Sequence, residues 1–564
     1  MQSPAPHHVE QTGIRPIALW DPECVIGGVL LAAVLIVGLA TATDYGITTD
    51  EFIFDAAGPK ALAWYTSGFT DQSLFAYYDT SFYGPWFQIL VAAAQSLHLA
   101  DPFTVRHALT FVVGLLGIAA LLPIGRLAIG PWAGLTAVVL CLTTGNLYGG
   151  LFFTPNDVPF LAAMTWATLA IVVMAKRPVP SWPATVAAGL LTGLAIATRF
   201  GGVLSQAYLV GAMALCAFAA VAETKDRRGA ALLAIGLRTL AALVLAWLTA
   251  IAIWPWLQAP NPFARFAQVY AYFIRSYVQF DFPAWGRTLS SGALPWHYIP
   301  GQLLARLPEG FIALLVIAAL FGVVAAGGFV RDCSTRIRQN GFGGVLVCGA
   351  ELAQSRGLLV MAVAALGPPL FVIVRGSVIF DALRHLLFIL PMLALIAGWA
   401  LVKLLPLLRR MPLALAGVAA LHIAATVPTL VYLHPLEYVA MNGFAGGVAG
   451  ASGRFDLDYW SAAATTAVRQ LEARLDRERP ARFATREPRV MVCIGWREPM
   501  VGPIFRKPWI VATDPRQADF VIEPQRWPCL HGAPGTVIDT VQRFGVTFAT
   551  TFEMAPPASS NESH

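Results

Sequence analysis

The 564-residue chain is 57% hydrophobic and only 12% charged, against about 25% charged in an ordinary soluble domain, which excludes a soluble globular protein. Its formal charge of +6 is spread through the loops between apolar runs. That is the pattern that orients membrane proteins, and it excludes a nucleic-acid-binding surface.

In the polar, proline-containing head "MQSPAPHHVEQTGIRP" no cleavable leader is evident, and residues 1–23 read as a cytoplasmic segment. Apolar stretches of about 17–25 residues, the length that crosses a bilayer core, follow near 24–43, 108–125, 127–146, 158–175, 182–198, 203–222, 231–256, 310–330, 357–374, 386–405 and 411–433. The expected fold is therefore an all-α polytopic membrane protein of roughly eleven transmembrane helices. With the N-terminus in the cytoplasm, Arg126, Lys176, Arg177, Arg331, Arg336, Arg338, Arg409 and Arg410 all fall inside. Asp44, Asp50, Glu51, Asp55, Asp157, Asp281 and Asp381 then fall outside. The body, 24–433, carries two large extracytoplasmic loops, 44–107 and 257–309. The short apolar run "PWFQILVAAAQSLHL" reads as a helix lying in the interface.

Beyond residue 433 charge becomes ordinary, and "RVMVCIGW", "ADFVIEP" and "GTVIDTVQRFGVTFATTF" read as strands. Residues 434–564 are expected to form a small extracytoplasmic α/β domain with a disordered tail. Of seven cysteines, only Cys493 and Cys529 fall on the side where the compartment permits a disulfide. Spacing alone leaves both a bridge and two buried thiols open.

Candidate chemistry clusters on the outer side. Asp50 and Glu51 stand among aromatic and small residues in "TTDEFIFDAAG", and Asp157 opens a span in "FFTPNDVPF". Partly buried carboxylates from separate loops suit general base work, while a solvated acidic loop end is the bland alternative. Arg199, Arg384 and His385 sit at outer helix ends, where basic residues are disfavoured unless they snorkel or bind anions. Lys60 and Arg275 are further loop cations, and His297 and Tyr298 either face a polar ligand or belong to an aromatic belt. No CxxC pair, HExxH motif or nucleotide loop is present. A divalent cation between Asp50 and Asp157 stays open.

The acid pair after the first span and the acid at the outer mouth of the third and fourth spans stand in order with further stretches. These are "GLLTGLAIATRFGG", "LPWHYIPGQLLARLPEGF", "FDALRHLLFILPMLALIAGWAL", "HPLEYVAMNGFAGG" and "GRFDLDYW". Together they resemble the type C, membrane-embedded glycosyltransferases, in the branch of protein O-mannosyltransferases and lipid A aminoarabinose transferases. The resemblance covers most of residues 40–460. It implies an inner-membrane enzyme of the cell envelope that moves a hexosyl or pentosyl group from a polyprenyl-phosphate donor to a lipid, glycan or protein acceptor, with inversion. It also implies Asp50 as base, with Glu51 and Asp157 orienting, and Arg384, His385, Arg199, Lys60, Arg275, His297 and Tyr298 as candidates for the donor phosphate and sugar. The branch usually needs no metal. A flippase of lipid-linked sugars would carry ionisable residues in mid-span and broken inverted repeats. A non-catalytic envelope assembly protein is the third reading.

Overall fold

The computed structural model describes residues 21–223, 227–276, 278–478, 480–494, 498–530, 532 and 534–555; the expected cytoplasmic head up to residue 20 and the tail from 556 lie outside them. The chain starts with α1 (Pro22–Thr41), then α2 (Thr49–Thr66), the short α3 (Trp86–Gln95) and α4 (Pro102–Ala119), which α5 (Leu121–Ala128) continues. Then follow α6 (Ala133–Leu142), α7 (Gly145–Phe153), α8 (Asp157–Met174), α9 (Trp182–Ile196), α10 (Leu204–Glu223) and α11 (Arg228–Ile253). A loop region holds α12 (Pro262–Ala271), the hairpin β1–β2 (Asp281–Ala284, Arg287–Ser290) and α13 (Tyr298–Arg306). The body closes with α14 (Glu309–Asn340), α15 (Phe342–Gln354), α16 (Arg356–Arg375), α17 (Leu390–Leu408) and α18 (Pro412–Leu433).

Among the described residues nine helices are long and apolar enough to cross a membrane, and α6 with α7, bent by 72°, makes a tenth. The chain is a multi-pass membrane protein. The expected span near 127–146 is thus a broken one, and that near 182–198 is the 15-residue α9. α9 is short yet central because Gly189 and Gly193 bring it against α11. A Cβ at Gly193 would lie 2.5 Å from the Ala246 carbonyl oxygen, the small-residue contact that lets membrane helices approach backbone to backbone. α8 is buried nearly all round, whereas α1, α14 and α18 present exposed Val29, Val323 and Leu421 outward. This inside-out pattern is what a lipid solvent selects. α3 has ten residues, one face of which (Phe87, Gln88, Val91) is buried, and it does not span.

After α18 come α19 (Gly447–Ala451) and α20 (Ala463–Glu478), the latter packed on a five-stranded sheet. Its strands are β3 (Arg489–Val492), β4 (Ile510–Val511), β5 (Phe520–Pro524), β6 (Gly535–Arg543) and β7 (Val546–Met554), in the order β4-β3-β5-β7-β6. β3 runs parallel to β4 and β5, and β7 antiparallel to β5 and β6. The β6–β7 turn places Phe544 and Gly545 at positive φ, 50° and 74°, as a two-residue hairpin turn of matching twist requires. The three expected strand stretches are all present. Cys493 and Cys529 are disulfide-bonded. So are Cys333 and Cys348, which the sequence reading left unpaired; the α14–α15 hairpin brings their Cα atoms to 5.7 Å.

Helix polarity sets where the polar residues meet. The N-termini of α2 and α8, the C-terminus of α9 and the 3-10 segment Arg384–Ile389 that leads into α17 share one end of the bundle. The C-terminal domain docks on that end, where Arg469 donates to the Thr43 carbonyl at 2.8 Å. Lys176, just past the C-terminus of α8, belongs to the opposite end.

Candidate active site

Thr48 caps α2: its backbone N–H donates to Glu51 Oε2 at 2.9 Å, the reciprocal half of a capping box. The other Glu51 oxygen lies 3.0 Å from His107 Nε2 on α4, and both side chains are buried. Neighbouring helical residues project about 100° apart, so Asp50 leaves on a different face. It reaches a cavity of about 420 Å³ and stays partly open to it, 28% exposed.

Arg384 organises that cavity. Its guanidinium lies 2.9 Å from Asp50 Oδ2, 2.8 Å from Asp381 Oδ2 and 4.0 Å from Asp157 Oδ2. Asp381 and Ala382 both adopt positive φ, 55° and 59°, a costly backbone for side chains that turns Asp381 under Arg384. Asp157, on the first turn of α8, is ion-paired with Arg199, so it stands between two guanidiniums. Asp50, Asp157, Arg199 and Arg384 therefore do meet at one place. Arg384 lies against both Asp50 and Asp157. Among the described residues no group of three or more His, Cys, Asp or Glu could hold a metal.

The other candidates go elsewhere. Glu51 is buried, with one oxygen accepting from the Thr48 N–H and the other 3.0 Å from His107 Nε2. Lys60, about three turns along α2, holds its ammonium 5.2 Å from the centre of the Tyr77 ring. His297 is exposed against Trp296. Tyr298 is buried and donates to the Ala382 carbonyl at 3.5 Å, so it braces the loop under Arg384. His385 packs edge-on to Phe380 and borders an apolar groove, not the polar cavity. The side chain of Arg275 lies outside the described residues.

That groove runs beside the cavity and is lined by Phe160 of α8, Leu204 of α10 and Pro368, Phe371 and Val372 of α16. Arg199 borders both.

Several cavity residues were not foreseen. Asp79, from the loop after α2, accepts from the Tyr272 hydroxyl at 2.9 Å. Burial, with the Asp50 charge adding to it, raises its carboxyl above the usual range. Its signal was present in "FAYYDTSFYG", an acid in an aromatic run. Asp381, three residues before Arg384, was legible as a local pair. Arg526 was not. It comes from the C-terminal domain, lies 2.8 Å from Asp381 Oδ1 and 3.5 Å from Asp456 Oδ2, and is only 12% exposed. Burial raises the Asp456 carboxyl to about 6, and that of the neighbouring Asp458 to about 7.

No protein-family model and no curated protein matches the chain. Solved structures do. ArnT from Cupriavidus metallidurans in the apo state is similar at 14% identity and a TM-score of 0.46, over 94% of this chain and 98% of that one. The same protein bound to undecaprenyl phosphate aligns at 15% identity and a TM-score of 0.43, over the same shares. The oligosaccharyltransferase AglB from Archaeoglobus fulgidus, in complex with an inhibitory peptide and a dolichol-phosphate, aligns at 10% identity and a TM-score of 0.41, over 88% of this chain and 69% of that one.

Proposed function

We propose that the chain is a membrane glycosyltransferase. It moves a hexosyl or pentosyl group from a polyprenyl-phosphate donor to an acceptor hydroxyl on the extracytoplasmic face, with the N-terminus inside and the C-terminal domain outside. One observation carries this reading: Arg199 stands where the apolar groove between α8, α10 and α16 meets the cavity of carboxylates and guanidiniums. A lipid phosphate has an apolar chain and an anionic head, and this junction offers a place for each.

In this reading the phosphate lies against Arg199 and Arg384. Asp157, between them, offsets their mutual repulsion and holds both in place, so it positions and does not abstract. Asp50 takes the acceptor's proton. The acceptor oxygen attacks the anomeric carbon from the face opposite the phosphate, and the bond from that carbon to the phosphate oxygen breaks. The electron pair leaves with the polyprenyl phosphate, and the configuration inverts. Charge grows on the leaving phosphate as that bond opens, so fixed guanidiniums stabilise the transition state more than the ground state. Before donor binding, Arg384 is engaged by Asp50 at 2.9 Å. A phosphate that takes over Arg384 releases Asp50 to act as base, which makes the donor bind first. The charges of the site gather at one end of the bundle, which favours an enzyme over a flippase with mid-span charges.

A second reading of the base rests on Asp79, whose carboxyl is raised by burial and hydrogen-bonded to Tyr272. The test uses purified protein with undecaprenyl-phosphate hexoses and pentoses, following sugar transfer to envelope extract and hydrolysis in its absence. Activity lost in Asp50→Asn and kept in Asp79→Asn supports the first base. The reverse assigns Asp79. No turnover of any such donor removes the glycosyltransferase reading.

A further inference from the structure

A second cavity, of about 350 Å³, lies beside the first and shares Phe280, Arg526 and Trp527 with it. Its walls come from the β1 strand, the 453–458 loop and the turn after β5. Arg526 is the partition. It faces Asp381 on the side of the first cavity and Asp456 on the side of the second, between the rings of Phe280 and Trp527, each 5.2 Å from its guanidinium carbon.

From this we infer that the second cavity is the acceptor subsite, and that it takes a neutral carbohydrate. The inference rests on the glycosyltransferase reading above for its role, though not for its ligand chemistry. Three features select the ligand. Aromatic side chains of Phe280, Phe455 and Trp527 suit the apolar face of a sugar ring. Asp281, Asp456 and Gln525 supply acceptors for hydroxyl donors. The indole N–H of Trp527 has no acceptor among the described residues. Charge excludes a phosphorylated acceptor: the lining carboxyl groups of Asp281, Asp456 and Asp458 face one lining cation, Arg526, which Asp381 already engages. Backbone pairing argues against an extended peptide. The free side of β1 is taken, since Asp456 donates to the Pro283 carbonyl at 3.2 Å and Gly286 donates to that of Arg454 at 2.9 Å. That leaves no open edge for an added strand.

The subsite is tested without donor or turnover, by saturation-transfer NMR on the full-length purified chain. The probes are N,N′-diacetylchitobiose, glucosamine 6-phosphate and a Ser/Thr-containing hexapeptide. Saturation of the chitobiose ring protons is expected. It should fall by roughly fivefold or more in Trp527→Ala, the scale for losing an aromatic anchor, fall in Asp456→Asn, and persist in Trp527→Phe. Asp50→Asn should bind chitobiose as the parent does, so a failure of the catalytic reading leaves this result standing. Equal or stronger transfer to the phosphate or the peptide, no chitobiose signal, or a signal indifferent to Trp527→Ala in folded protein would overturn the inference.

Discussion

The two walls of the central cavity are built differently. The wall from the membrane body sets Asp50, Asp157, Arg199 and Arg384 in an interlocked row, each charge met by its opposite. The wall from the C-terminal domain brings one cation, Arg526, held between Asp381 and Asp456 and flanked by Tyr459 and Trp527. In the body, a charge persists only where a partner or a function compensates the low dielectric. In the outer domain that holds only for buried charges such as Arg526, since the rest of its surface is solvated. The first wall is suited to a fixed anionic group and the second to a variable ligand. The proposed division follows: the body handles donor and chemistry, the domain the acceptor.

That division can be broken by substitution. Asp50→Asn keeps shape and removes the proposed base, and transfer should fall about 10²–10⁴-fold, the usual range for general base catalysis. Arg384→Ala should cost about 10²–10³-fold, comparable to losing an oxyanion donor, together with donor affinity. Arg384→Lys should restore little, because one guanidinium serves several carboxylates. Arg526→Gln should act mainly on the acceptor, raising its KM more than it lowers kcat; a matching loss of donor affinity would merge the two walls into one. Glu51→Gln should leave turnover per folded molecule intact and lower stability by about 1–3 kcal/mol, the cost of leaving a buried polar group unsatisfied. Thermal melting beside specific activity in detergent separates the two outcomes.

The smallest effect concerns pH. Asp458 titrates at about 7 in the folded chain and near the ordinary carboxylate value of about 3.9 when unfolded. Between these values the folded state binds more protons than the unfolded one, so stability falls as pH rises through that window. The melting temperature should drop between about pH 4 and 7, less steeply in Asp458→Asn than in the parent.

Much of the body was legible because its solvent is lipid. Asp50, Asp157, Arg199 and Arg384 each stood out against apolar neighbours at helix ends, and helix polarity brought them to one end of the bundle. Glu51 stood out equally, yet its side chain turns to Thr48 and His107. Adjacency in sequence could not show that consecutive helical residues face different ways, or that His107 on α4 waits behind. His297 and Lys60 misled for a related reason: the loops fold over the bundle and carry some polar residues away from the cavity. Arg526 left no trace, since "EPQRWPC" is unremarkable in a charged domain and only its docking on the Asp381 loop gives it a place. The break between α6 and α7 was hidden in the same way, because both halves are apolar.

The account stands or falls on where a lipid phosphate sits. A cryo-electron microscopy map of the full chain with undecaprenyl phosphate measures this directly. The expected result is phosphate density between Arg199 and Arg384, isoprenoid density in the groove beside Leu204 and Phe371, and Asp50 separated from Arg384. Phosphate density away from both arginines, or an Asp50–Arg384 pair unchanged at full occupancy, would contradict it.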